Sequence, residues 1–182
     1  MKQGFIFMLL SLVLQGCGRE EVRTYQTPKQ KQPAAPVVKA VVPMVGKGFS
    51  ATLPAGWTEK AGSGMRTVSY SIDATSIDFY LIPLRVGDVP SNVNRWRGQV
   101  GLAPISPEAI NQEVQELQVG GHAAKYVEIY NEESGRGIVV AIVDLAPEYW
   151  YFTAKGSVDE LKIHTAEIRT FLESIQIEGN DR

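Results

Sequence analysis

From residue 48 onward, short apolar runs alternate with turn residues, and the period of each run predicts its element. Residues 48–53 alternate and then break at Pro54-Ala55-Gly56, which reads as a first strand and a turn, with Trp57 beyond it in the core. Residues 66–72 place Val68, Tyr70 and Ile72 on one face of a second strand. Residues 77–84 form a longer strand with Pro83 near its end, where a missing N–H costs the ladder least. The period then changes. A helix starts near Ser91 as N-cap, carries Val93, Trp96 and Val100 on one face, and stops at Gly101. Ser106-Pro107-Glu108 opens a second, short helix: a cap, a proline at the first helical position and an acid in the first turn.

Strands return after that. Residues 114–119 and 122–130 read as a hairpin closed by Gly120-Gly121. Residues 137–145 are almost continuously apolar, which predicts a central strand covered on both faces. Ala146-Pro147-Glu148 turns the chain into an aromatic strand at 149–155. After Gly156, Ser157 and Glu160 make a capping box, and Leu161, Thr165, Ile168, Leu172 and Ile175 recur at helical spacing. Residues 174–177 close with a short strand. Short turns between successive strands argue for antiparallel pairing, and helices with one apolar stripe must pack on a sheet face. The fold class is therefore α+β, a central antiparallel sheet flanked by helices, in one domain over residues 48–178 with a tail at 179–182.

The first 47 residues follow other rules. Lys2 precedes an apolar run of ten residues, 5–14, too short to span a bilayer core of about 20 residues and of the length of a signal-peptide core. The run ends in Leu14-Gln15-Gly16-Cys17, which resembles the bacterial lipobox; Gln15 departs from the small or apolar residue usual there. The resemblance implies that 1–16 is a lipoprotein signal peptide, that lipid is transferred to the Cys17 sulfur, and that the mature chain starts at Cys17. Gly18 in the next position favours the outer membrane, periplasmic side, in a bacterium that has one. Residues 17–47 form a flexible linker in which Pro28, Pro33, Pro36 and Pro43 interrupt polar and small residues. The valine pairs 37–38 and 41–42 allow the linker to dock as an edge strand.

Charge separates the two parts. Residues 18–47 set six lysines and arginines against two glutamates, whereas the chain from residue 48 sets eleven against eighteen acids. An acidic domain does not suit nucleic acid, which needs a basic face; its partners are instead the membrane, through the lipid anchor, and another envelope protein. The one cysteine cannot form an internal disulfide or build a cysteine metal site, and with only His122 and His164 beside it tetrahedral zinc chemistry is almost excluded.

A family resemblance covers nearly the whole domain. Its residues are Phe49, Leu53-Pro54-Ala55-Gly56-Trp57, the aromatic strand Tyr149-Trp150-Tyr151-Phe152, Gly156, and the helix end Phe171-Leu172-Glu173-Ser174. The pattern resembles the Mog/PsbP-like superfamily, and residues 92–102 resemble bacterial proteins of this type. The resemblance implies an α/β/α sandwich and a non-enzymatic binding or assembly role; it brings no catalytic residues and no cofactor.

The residues alone point the same way. Neither histidine sits near a Gly-x-Ser-x-Gly elbow. His122 follows a turn and is expected to be exposed; His164 flanks the apolar stripe of the long helix. Glu132-Glu133, Asp144 and Glu148 are loop acids. Gly62-Ser63-Gly64 lacks the lysine and following helix of a phosphate cradle. The candidate binding patch is Asn92, Asn94, Arg95, Trp96, Arg97 and Gln99, because arginine forks suit carboxylates and phosphates and Trp and Arg are enriched in binding hot spots. A structural reading, with Trp96 in the core and the polar residues capping and solvating the helix, is the simpler one. Two other functions stay open: a carrier of a small apolar ligand between sheet and helices, and a hydrolase with an unfamiliar site.

Overall fold

The computed structural model describes residues 48–85 and 88–178. The leader, Cys17 and the linker assigned to 1–47, and the tail at 179–182, lie outside the described residues. Described residues form nine strands and three helices: β1 (Phe49–Ser50), β2 (Trp57–Ala61), β3 (Val68–Ile72), β4 (Asp78–Leu84), α1 (Val89–Val100), α2 (Pro107–Glu113), β5 (Gln115–Val119), β6 (His122–Asn131), β7 (Arg136–Leu145), β8 (Glu148–Ser157), α3 (Val158–Glu173) and β9 (Gln176–Ile177). Seven strands make one sheet in the order β2-β3-β4-β8-β7-β6-β5, every neighbour antiparallel. β1 and β9 pair separately, Phe49 opposite Ile177.

β7 shows why its apolar run is unbroken. Val139, Ala141 and Val143 belong to the core under α3, while Ile138, Val140 and Ile142 belong to the core under α1 and α2. Alternate side chains on a strand point to opposite faces, so a strand buried on both sides needs apolar residues at every position. The expected hairpin is present: Val119 pairs His122, and Gly120 and Gly121 both hold positive φ, 58° and 80°, as a two-residue turn of this type requires.

Three expectations need correction. The first strand covers 49–50 rather than 48–53, because the Thr52 N–H leaves the ladder and donates to the Ser174 hydroxyl at 3.1 Å. β2 was not expected; it is an edge strand with only Trp57 buried, so WTEKA shows no clean alternation. The first helix begins at Val89, and its N-cap is Asp88 rather than Ser91. The Asp88 carboxylate accepts from the Ser91 N–H at 2.9 Å and from its hydroxyl at 2.6 Å. Aspartate is as good a cap as serine, and Pro90 in the first turn suits it. Ser106 and Ser157 cap α2 and α3 as expected.

Candidate functional site

α1 lies across β6 and β7, burying Val93, Trp96 and Val100, and it ends at Gly101. What it leaves open is a recess of about 530 Å³. Its side wall is Gln99 and Val100; its floor is the start of β7 and the end of β8, from Arg136 to Ile138 and from Lys155 to Ser157; Ser76 closes the far side. In the register of β7 and β8, Gly137 faces Gly156, Arg136 faces Ser157, and Ile138 faces Lys155. Arg136, Ile138, Lys155 and Ser157 therefore share the face that carries α1, with the two cations diagonal to each other at about 7–8 Å, within reach of long side chains.

Glycine at the floor is a packing requirement. A Cβ at Gly137 would stand 2.8 Å from both the Leu161 Cδ1 and the Tyr130 ring, on the α3 side of the sheet. Close seating of α3 against β7 thus depends on Gly137 and leaves this part of the floor as backbone.

Charge is unevenly neutralised around the recess. Asp78, opposite Lys155 on β4, is held by the Arg66 fork through two 2.7 Å hydrogen bonds. Glu160 accepts from the Ser76 N–H at 3.0 Å, the Ser76 hydroxyl at 2.7 Å and the Ser157 hydroxyl at 2.9 Å. The backbone N–H of Ser76, then the two hydroxyls, hold its carboxyl below the usual glutamate range. Glu132 pairs with Lys162, and Glu133 of the same turn does not line the recess. Lys155 donates to the neutral Gln99 amide oxygen at 3.0 Å. The Arg136 side chain makes no hydrogen bond or ion pair among the described residues and is exposed. Its guanidinium lies beside Gly101, at the carbonyl end of α1, where a cation is favoured.

The predicted patch divides sharply. Trp96 is core, edge-on to Tyr151. Asn94 binds both backbone groups of Ile105, donating to its carbonyl at 3.0 Å and accepting from its N–H at 2.9 Å. Arg97 donates through Nε to the Ala103 carbonyl at 2.9 Å and pairs with Glu113. Asn92 bonds the Asp88 carbonyl and the Tyr151 hydroxyl and accepts from Arg95, which is itself exposed. Gln99 alone of the six lines the recess. Reasoning from sequence passed over Arg136 and Lys155. The signal that could have found them is a repeated dipeptide, Arg136-Gly137 and Lys155-Gly156, at the facing ends of two adjacent strands.

Elsewhere, His122 is exposed, and His164 Nδ1 sits 2.9 Å from the Glu167 carboxylate. Asp144 accepts from the Ala146 N–H, and Glu148 lies 3.5 Å from Arg85. Among the described residues no group of three or more His, Cys, Asp or Glu could hold a metal. The layer under α3 is filled by rings: Phe171 stands 5.3, 4.9 and 5.7 Å from Trp57, Tyr70 and Phe79.

No family model matches the chain, and no curated protein matches it. Solved structures of similar outline include a protein from Bacteroides thetaiotaomicron VPI-5482, 11% identical with a TM-score of 0.46, covering 74% of this chain. The chain spans 47% of that protein's length. Cyanobacterial PsbP from Synechocystis sp. PCC 6803 is 12% identical with a TM-score of 0.47, covering 71% of this chain and 86% of its own. LpqN of Mycobacterium tuberculosis, described as involved in cell envelope biogenesis, is 14% identical with a TM-score of 0.45, covering 71% of this chain and 82% of its own. Overlap at this level says nothing about ligand or role.

Proposed function

We propose that this chain is a bacterial envelope lipoprotein whose domain is a non-enzymatic binding or assembly module. The address rests on the sequence: the ten-residue apolar run, Leu14-Gln15-Gly16-Cys17, and the basic proline-punctuated stretch that follows. Acyl chains on Cys17 anchor the protein, residues 18–47 tether it, and the acidic domain stands off the membrane, on the periplasmic side of the outer membrane in a diderm host. No helix among the described residues is long and apolar enough to cross a membrane.

The observation that carries a binding role is the recess at the end of α1. It presents an unpaired guanidinium and an ammonium over a glycine-backed floor, and both histidines lie elsewhere. Such a site supplies recognition without a nucleophile and base held together. Detergent phase partitioning of the full chain, expressed with its leader in a diderm bacterium, tests the anchor. The wild type is expected in the detergent phase and Cys17→Ser in the aqueous phase; equal partition of the two would overturn the proposal.

A further inference from the structure

We infer that the recess at the end of α1 binds a small monocarboxylate, with the Arg136 guanidinium and the Lys155 ammonium facing its oxygens and Val100 and Ile138 facing its first carbons. This rests on the reading of the domain as a binding module and names the ligand class for that site. A guanidinium is a planar fork matched to two carboxylate oxygens, and charge-assisted hydrogen bonds are roughly twice as strong as neutral ones. Arg136 is not neutralised by any described acid, and Lys155 has only the neutral Gln99 oxygen as its partner. Two carboxylates beside the recess already have partners, Asp78 in Arg66 and Glu160 in Ser76 and Ser157. A ligand carboxylate therefore meets two cations without displacing an internal ion pair.

Two observations select a single negative charge over phosphate. The Glu160 carboxylate lies behind the floor, 3.7 Å from where a Cβ at Gly156 would stand, so a second negative charge on the ligand would face it across one layer of backbone. The chain from residue 48 also sets eleven basic against eighteen acidic residues, and that field opposes polyanions. The volume, about 530 Å³, holds a short carbon chain behind the head group.

The test is a titration of the full chain in detergent, followed through the backbone amide NMR signals of Gly137 and Gly156. The probes are butyrate, butyramide and inorganic phosphate at matched ionic strength. Butyrate is expected to move these signals saturably, while its neutral isostere butyramide leaves them in place. Arg136→Gln is expected to weaken butyrate at least about tenfold, the loss of one charge-assisted pair. Lys155→Gln is expected to weaken it less, about threefold, because the ammonium is a point charge rather than a fork. Equal response to butyrate and butyramide, no response to either, or saturable binding of phosphate alone would each overturn the proposal, and none of these requires a variant. Cys17→Ser separates this proposal from the anchor: it is expected to lose detergent partition and keep butyrate binding. A wild type that partitions but ignores butyrate removes the ligand class and leaves the anchored module standing.

Discussion

The two faces of the sheet are built differently. Under α3 the core is aromatic and continuous. Phe171 reaches Trp57, Tyr70 and Phe79, Phe49 meets Trp150 and Phe152, and the layer extends across strands from β2 to β5. Under α1 and α2 the core is smaller and mainly aliphatic, built from Val127, Ile129, Ile138, Val140 and Ile142 beneath Val93, Trp96 and Val100. Helix α3 has sixteen residues and α1 twelve. The shorter helix stops at Gly101, and the recess opens where it stops. The larger, aromatic core thus lies under α3, and on the other face the end of α1 leaves the recess beside β7 and β8.

The contrast makes ordered predictions. Phe171→Ala is expected to cost about 3–5 kcal/mol in urea unfolding, because a ring in contact with three others leaves a cavity. Val93→Ala, on the other face, removes two methyl groups and is expected to cost about 2 kcal/mol at roughly 0.8 kcal/mol per buried carbon. A larger loss at Val93 than at Phe171 would reverse the comparison. Asp88→Ala is expected to cost about 1 kcal/mol as loss of the α1 cap, and the same loss from Ser91→Ala instead would restore serine as the cap.

Titration probes the α3 side further, since both shifted groups lie there. Glu160 is held below the usual glutamate range, so its contribution is present above that range and is lost as pH falls through the lower folded-state value. Glu160→Gln should flatten that acid limb of the urea midpoint. Tyr130, on the α3 side, is pushed up to about 12, chiefly by burial. Its neutral form suits the fold, so that contribution is intact below the ordinary tyrosine value of about 10 and lost as pH rises through about 12. Smallest of all, Arg95→Ala is expected to change stability by less than about 0.5 kcal/mol, since the side chain is exposed, hydrogen-bonds Asn92 on its own helix and lies 6.0 Å from the Trp96 ring centroid.

How much was legible in the sequence depended on how local each determinant was. Periodicity found β7 because both its faces are buried, and the Ser157/Glu160 box found the start of α3 because a cap is made within four residues. β2 stayed hidden because an edge strand with one buried residue has no period to read. Within the patch, residue type was a poor guide. Asn94 and Arg97 have the chemistry of recognition, yet the loop after α1 takes their donors through the backbone of Ile105 and Ala103. The recess was missed for the opposite reason. Arg136 and Lys155 are nineteen positions apart, and only the register of β7 against β8 brings them to one floor.

Intact-mass analysis of the chain recovered from the envelope of a bacterium that makes it with its leader is the most direct check on a lipid-held binding module. A mature protein starting at residue 17 and carrying added acyl mass is expected. A bare Cys17, or a chain still bearing residues 1–16, would contradict both the anchor and the location.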